Sequence, residues 1–322
     1  MRPRWERDPE IPIDLKTASA LMRTAVSGAN VHRLEPLRGG RRNTSYRIEL
    51  DRPSQSGAYV LRLYAHRGNN KWSKEAALWR MLEAEVPMPR VFAATFDRDL
   101  FAYPFAIFEF IDGKPLDSVI RAGQAPSDSL LQEIGRTLAR VHKHRFGAVG
   151  FLDEALDVAT TLPALSSWYD MLMGPHGRAL AGPATVAEVA ACVARHQPSL
   201  DELDRDPRLV HGDFRPANLL VRDGRLVAVI DWEDAMAGHW LADIGQFLRD
   251  RSEIDDDHGR SFIEGYLAEA DHTLPERWKR TMALRDLVNL VQMLESSKGK
   301  PVQEAGLIGL IRSILVETSK ED

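Results

Sequence analysis

Residues 219–230 read LLVRDGRLVAVI, two short apolar runs separated by Asp223-Gly224. A two-residue turn of this composition accepts the positive φ angles of a tight hairpin, so the stretch predicts two antiparallel strands. Its position is what constrains the fold. From Ser127 onward the chain otherwise carries apolar residues at helical spacing: DSLLQEIGRTLARVHKHR, ATVAEVAACVARHQPSLDEL, LADIGQFLRDR, RWKRTMALRDLVNLVQMLES and AGLIGLIRSILVE. One compact β element therefore interrupts a helical region. The first third has the opposite character. VHRLEPL, SYRIEL and AYVLRLY are short strand-like runs between turn clusters. SKEAALWRMLEAE is the one helix read there, with Ser73 as N-cap and PMP as its stop, and PFAIFEFI follows as a strand. The pattern predicts an α+β chain with a small β-rich lobe over 1–110 and a large, mainly helical lobe over 111–322, joined near 105–111.

The chain has 322 residues, 44% of them apolar and 28% charged, the composition of an ordinary globular protein. Its single cysteine, Cys192, rules out an internal disulfide framework and sits in an apolar helical setting that predicts a buried, inert thiol. The first fifteen residues lack the apolar core of a secretory signal, and no apolar run is long enough to span a bilayer. A cytoplasmic location without membrane attachment is the expectation. A formal net charge of −5 argues against general nucleic-acid binding. The charge is uneven: residues 1–110 hold 18 Lys+Arg against 13 Asp+Glu, and residues 201–257 hold 7 against 15. That asymmetry fits a basic lobe for an anionic ligand facing an acidic lobe for a cationic one, or simply two solvated surfaces.

Directly before the hairpin stands HGDFRPAN, residues 211–218. If Arg222 pairs with Arg225, Asn218 lies opposite Val229, and Asn218 and Asp231 emerge at the same open end, with Asp213 just upstream. Hard oxygen atoms gathered this way suit Mg²⁺, which takes few protein ligands and keeps the rest of its shell for phosphates and water. In kinase phosphoryl transfer an Asp, an Asn five positions later and a further Asp on the next strand divide the work. By that template Asp213 orients the acceptor hydroxyl and takes its proton, while Asn218 and Asp231 hold metal. The alternative is a structural turn whose Asp and Asn cap loops.

LVHGDFRPANLLV followed by VIDWEDAMAGHWLADIG resembles the aminoglycoside phosphotransferase family, and choline, type II homoserine and macrolide kinases are similar. The resemblance covers roughly residues 30–252 and is most specific between 209 and 246. It implies a bilobal protein-kinase-like fold and an ATP- and Mg²⁺-dependent transfer of the γ-phosphoryl group to a hydroxyl of a small molecule. It also implies that Gly39 and Gly40 cover phosphates and that Arg62, where protein kinases carry Lys, pairs with Glu75. Backbone groups near Glu109 and Ile111 would receive the adenine, and Asp243 would brace the 211–218 loop. Two rivals stand beside this reading. A nucleotide-binding pseudokinase regulator is favoured only by Arg62; a protein kinase is opposed by DWE in place of D-F-G.

Other residues are assigned duller roles. His142 and His144 end a helix, where capping is the simpler reading. His211 orients the loop by hydrogen bonds. Trp168, Trp232, Trp240 and Trp278 are read as core or rim packing rather than a cation box. The apolar run 305–316 is read as core in preference to a dimer face, leaving monomer or homodimer open. Glu233, Asp234 and Asp243 stand near the hairpin in sequence and point to a cationic or zwitterionic acceptor.

Overall fold

The computed structural model describes residues 10–37, 43–51, 57–66, 70–250 and 252–319. Gly39 and Gly40 lie outside them. The first lobe is a five-stranded antiparallel sheet of order β1-β2-β3-β5-β4, formed by β1 (Val31–Leu37), β2 (Asn43–Leu50), β3 (Ala58–Tyr64), β4 (Val91–Thr95) and β5 (Phe105–Glu109). Its alternating residues Ile48, Leu61, Leu63, Phe105 and Ile107 are buried under a short helix, α1 (Leu15–Met22). Neither α1 nor β4 was anticipated. The signal for α1 was present: Asp14 caps it by accepting from the Thr17 amide at 2.7 Å.

On the other face lies α2 (Lys71–Leu82). It begins at Asn70, so Ser73 is inside its first turn rather than at the N-cap; the Ser73 hydroxyl instead donates to the Asn70 carbonyl at 3.0 Å. Of the apolar residues of α2, Leu78 and Leu82 belong to the core of the second lobe, whereas Trp72 packs on Tyr64, Ala106 and Phe108 of the sheet.

After the connector and β6 (Lys114–Pro115), the second lobe opens with α3 (Leu116–Arg121) and α4 (Asp128–Val141), the latter capped by Ser127. Then come β7 (Gly150–Leu152), β8 (Val158–Thr161), α5 (Trp168–Leu172) and α6 (Pro175–Glu202), the last kinked at Gly182, whose φ of 78° no helix accepts. The hairpin is β10 (Leu219–Arg222) and β11 (Arg225–Val229), preceded by β9 (Arg208–Val210) and followed by β12 (Met236–Gly238). The chain closes with α7 (Leu241–Leu248), α8 (Asp256–Glu269), α9 (Trp278–Glu295) and α10 (Pro301–Ser319). Gly135 on α4 and Gly265 on α8 let these two helices touch backbone to backbone: a Cβ on Gly265 would lie 2.2 Å from the Gln132 carbonyl oxygen. On α10, Leu307, Ile311 and Leu315 are buried in the second core, as the run 305–316 predicted. Cys192 is buried there too. Among the described residues no helix is long and apolar enough to cross a membrane.

Candidate active site

The hairpin holds one departure from its expected register. Arg222 pairs with Arg225, but an irregularity between Leu220 and Val221 shifts the ladder, so Leu219 faces Val229. Asn218 consequently meets Ile230, whose amide donates to the Asn218 carbonyl at 3.0 Å, and not Val229. The bulge moves Asn218 one position closer to Asp231 along the ladder and leaves both at the open end. Asp231 itself is left-handed, at φ 69° and ψ 56°, a conformation that short Asp and Asn side chains tolerate best. It turns the chain out of the strand into the tight turn Trp232–Asp234, which the Trp232 indole ties back to the Val229 carbonyl at 3.0 Å.

The 211–218 loop is fixed from below. Asp243, fully buried on α7, accepts from the His211 amide at 2.7 Å and the Gly212 amide at 3.0 Å. Gln246 of the same helix accepts from the Phe214 amide and donates to the Gly212 carbonyl, both at 2.8 Å. Gly212 has φ 81°, and a Cβ there would sit 2.4 Å from the Asp234 carbonyl oxygen, so no other residue fits. The His211 ring bridges two segments. Its Nε2 donates to the Ile230 carbonyl at 3.0 Å, and its Nδ1 accepts from the Asp213 amide at 3.2 Å. Those bonds fix a neutral tautomer. His211 therefore orients the loop, and Asp243 braces it.

These supports leave the Asp213 carboxylate partly exposed. Oδ2 accepts from the Asn218 amide nitrogen and from Arg215 Nε, both at 3.0 Å. The Asn218 nitrogen also donates to the Asp213 carbonyl at 2.8 Å. The side chain is 34% exposed, so its second oxygen stays reachable. Because the Asn218 nitrogen is committed to Asp213, the amide oxygen is the atom left to meet a cation. With the Asp231 carboxylate it makes a small set of hard donors, the kind that suits Mg²⁺ and not zinc. Among the described residues no group of three or more His, Cys, Asp or Glu side chains is gathered as a metal cluster.

Facing this set, Arg62 of β3 donates to Glu75 of α2 at 2.9 Å and reaches Asp231 at 3.4 Å. Tyr64 donates a short hydrogen bond to the same Glu75 carboxylate. Burial raises the Glu75 carboxyl, against the pull of Arg62 and Tyr64. Burial likewise works against the Arg62 cation, but Glu75 and Asp231 outweigh it and hold the guanidinium above its ordinary range. A permanent cation thus lies between a helix carboxylate and the hairpin carboxylate. On the connector, the Glu109 amide is used by the Arg90 carbonyl at 2.8 Å, whereas the Ile111 amide has no hydrogen-bond partner among the described residues.

Sequence reasoning missed the joint between α2 and the turn after Asp231. Lys74 is buried and donates to the Ala235 carbonyl at 2.6 Å and the Glu233 carbonyl at 3.2 Å. Lys71 pairs with Asp234 at 2.7 Å, and Asn43 donates to Glu233 at 2.7 Å. So Glu233 and Asp234 bind the first lobe, and Asp243 is buried beneath the loop; none of the three forms the acidic acceptor wall expected of them. His142 does follow the last turn of α4, but its ring is buried between Asp243 and Tyr266 instead of capping in solvent. The tryptophans pack on different partners, Trp232 against His211 and Trp240 against Tyr266 and His272, with no shared box.

Burial, and then the neighbouring Lys71, lower the Lys74 ammonium to about 8 from 10.5. A lysine whose folded value is depressed binds fewer protons folded than unfolded between those values, so stability rises with pH across that window. Denaturant unfolding from pH 8 to 10.5 is expected to show that rise in the wild type and to lack Lys74's share of it in Lys74→Met.

A sheet-and-helix lobe set against a helical lobe, with a base-like Asp, an Asn and a further Asp around one hairpin, defines a protein-kinase-like phosphotransferase fold. The description "Phosphotransferase enzyme family" matches residues 33–281, and the chain belongs to that family. Among solved structures, a thermostable mutant of aminoglycoside phosphotransferase APH(4)-Ia in ternary complex with AMP-PNP and hygromycin B is similar. It superimposes with a TM-score of 0.68 at 19% identity, covering 93% of this chain and 97% of that one. The GDP and kanamycin complex of APH(2")-IIia gives 0.65 at 18% identity over 96% of this chain and 100% of the other. Curated relatives are more distant in kind. Probable acyl-CoA dehydrogenase IBR3 of Arabidopsis thaliana is 24% identical over 219 residues, covering 64% of this chain and 26% of that protein. Human acyl-CoA dehydrogenase family member 11 is 21% identical over 256 residues, 74% of this chain and 31% of that protein. The chain thus spans less than a third of the length of these relatives.

Proposed function

We propose that the enzyme transfers the γ-phosphoryl group of ATP, with Mg²⁺, to a hydroxyl of a small molecule. The observation that carries this reading is the position of Asp213, held at Oδ2 by Asn218 and Arg215 and open at its other oxygen. Asp213 orients the acceptor hydroxyl and receives its proton. Asn218 and Asp231 are the residues that would hold Mg²⁺, whose charge would neutralise phosphate oxygens when bound. Arg62, set by Glu75, faces the phosphates, and Glu109 and Ile111 offer backbone groups to the base. Gly39 and Gly40 belong to the same expectation as the phosphate cover. The nucleotides in the two similar structures, AMP-PNP and GDP, support nucleotide use, and their hygromycin B and kanamycin support a small hydroxylated acceptor. Because such transfer has a loose transition state, positioning and charge neutralisation are the chain's main contributions. ADP release measured across hydroxyl compounds with and without Mg²⁺ tests the reading. Nucleotide binding without turnover for any acceptor would favour the pseudokinase alternative.

The acceptor is proposed to carry an amino group, on grounds different from Glu233, Asp234 and Asp243. Burial, Asp250 and Asp117 raise the Glu253 carboxyl, while Arg121 and Arg215 only partly oppose them. Arg121 pairs with Asp117 and lies 3.6 Å from Glu253, and Arg215, the other cation acting on Glu253, is the residue bonded to Asp213. Three carboxylates share Arg121 and Arg215 there, so a cationic acceptor would add to an incomplete neutralisation. Glu253→Gln should raise the acceptor KM roughly threefold to tenfold with little change in kcat. Raising ionic strength to 0.5 M, where the Debye length is only about 4 Å, should lower kcat/KM for the wild type more than for the variant. Best acceptors that are uncharged or anionic, with no salt penalty, would remove the amino group from the proposal. Choline-like, homoserine-like and macrolide acceptors remain the named alternatives.

A further inference from the structure

Beneath the 211–218 loop runs a continuous line of hydrogen-bonding groups that reaches the protein surface. Asp243 meets His142 Nε2 at 3.2 Å, and His142 Nδ1 meets the Tyr266 hydroxyl at 2.9 Å. The same hydroxyl meets His272 Nε2 at 3.1 Å, and His272 Nδ1 meets Asp271 at 3.1 Å. Asp243, His142 and Tyr266 are wholly buried, whereas His272 and Asp271 are 13% and 39% exposed at the far end.

The proton count of this line does not balance. Each of its four contacts requires one hydrogen. The two carboxylate ends supply none, the tyrosine supplies one, and each neutral imidazole supplies one, so three hydrogens serve four contacts. The carboxylates accept only, so His142 must turn its N–H to Asp243 and His272 must turn its N–H to Asp271. Tyr266 then has one hydrogen for two unprotonated ring nitrogens, and the shorter contact assigns it to His142. His272 Nε2 is left facing the Tyr266 oxygen with no hydrogen between them.

We propose that His272 is the titrating end of a relay, through Tyr266 and His142, that positions Asp243 and with it the backbone of the 211–218 loop. A proton arriving at His272 Nε2 forms the fourth bond. The Tyr266 hydroxyl then becomes both acceptor and stronger donor, and the grip on Asp243 tightens along the line. The groups facing His272 act in opposite directions. Asp271 favours its cation; Arg208 of β9, joined to Asp271 at 2.6 Å, and His142 oppose it, and Trp240 packs its ring edge-on at 4.4 Å. Arg145 and Asp206 complete the surroundings through their bonds to Asp271 and Arg208. Burial pushes His272 below its ordinary value, and burial also lowers His142, so the proton enters on the acid side of the usual imidazole range. That these residues act on a reacting loop rests on the function proposed above, but the relay is tested without turnover.

The test is histidine-ring NMR on the intact protein, combined with amide exchange at Gly212 from pH 5 to 8. His142 is expected as the Nε2–H tautomer throughout, and His272 as Nδ1–H at the alkaline end, gaining its second proton on acidification. Gly212 exchange, corrected for its intrinsic pH dependence, should slow about fivefold as His272 titrates. The slowing should vanish in His272→Gln and in Tyr266→Phe. His272 found as Nε2–H at pH 8, or slowing that persists in folded His272→Gln, overturns the relay. A purely structural role for Tyr266 would raise exchange throughout the second lobe and leave the pH-linked step in place. His272→Gln, at the partly exposed end, supplies the decision if Tyr266→Phe does not fold. An inactive protein that passes this test would discredit the proposed reaction and not the relay.

Discussion

Asp213→Asn is expected to lower kcat by roughly 10²–10⁴, equivalent to about 3–5 kcal/mol of barrier, and to leave nucleotide affinity nearly unchanged. The geometry makes this substitution unusually clean. The oxygen of the new amide can keep the place of Oδ2, where Asn218 and Arg215 donate, while its nitrogen takes the open position. Shape and loop contacts survive, and only the ability to accept the hydroxyl proton is lost. Single-turnover kinetics with the best acceptor measure the effect directly. A near-normal kcat would remove Asp213 from the reaction.

Asp231→Asn should abolish Mg²⁺-dependent nucleotide binding, because the metal position loses its one carboxylate. Asn is the informative replacement: it tolerates the left-handed conformation at φ 69°, whereas Ala would add backbone strain of order 1 kcal/mol. Calorimetric titration of ATP with and without Mg²⁺ gives the answer. Equal metal dependence in wild type and variant excludes the role. Asn218→Ala will not isolate the metal in the same way. Its nitrogen holds Asp213 at both the carbonyl and the carboxylate, so that variant should lose kcat as well as metal affinity.

Local chemistry carried much of this site in the sequence. Asp223-Gly224 specified the hairpin, and the hairpin put Asn218 and Asp231 at one end; the one-residue bulge escaped because nothing in LLVRDGRLVAVI marks it. The Arg62–Glu75 pair was legible mainly through the family resemblance, with the need of a carboxylate at the head of an apolar helical face for a partner as a secondary hint. Lys74 was not, because its partners are backbone carbonyls some 160 positions away, which any residue could supply. His142 is the C-cap of α4 as expected, but the burial of its ring escaped for a related reason. Its place at a helix end is visible in sequence, but Asp243 and Tyr266 reach it from helices more than 100 residues later. The acidic wall failed on the same ground: sequence proximity of Glu233 and Asp234 to the hairpin says nothing of Lys71 and Asn43 waiting across the cleft.

Leu78 and Leu82 anchor α2 in the core of the second lobe, and Lys71 and Lys74 bolt its first turn to the segment after Asp231. Mechanically, then, α2 is shared: Trp72 packs on Tyr64, Ala106 and Phe108 of the sheet, and Glu75 is bonded to Arg62 and Tyr64 of β3. Any rocking of the molecule about residues 109–113 would have to loosen one of these two attachments. The Arg62–Glu75 pair belongs to the attachment on the strand side, and the Lys74 bonds to that on the helical side. A pair of spectroscopic labels placed on β2 and α2, and a second pair on α2 and α7, would report which attachment yields.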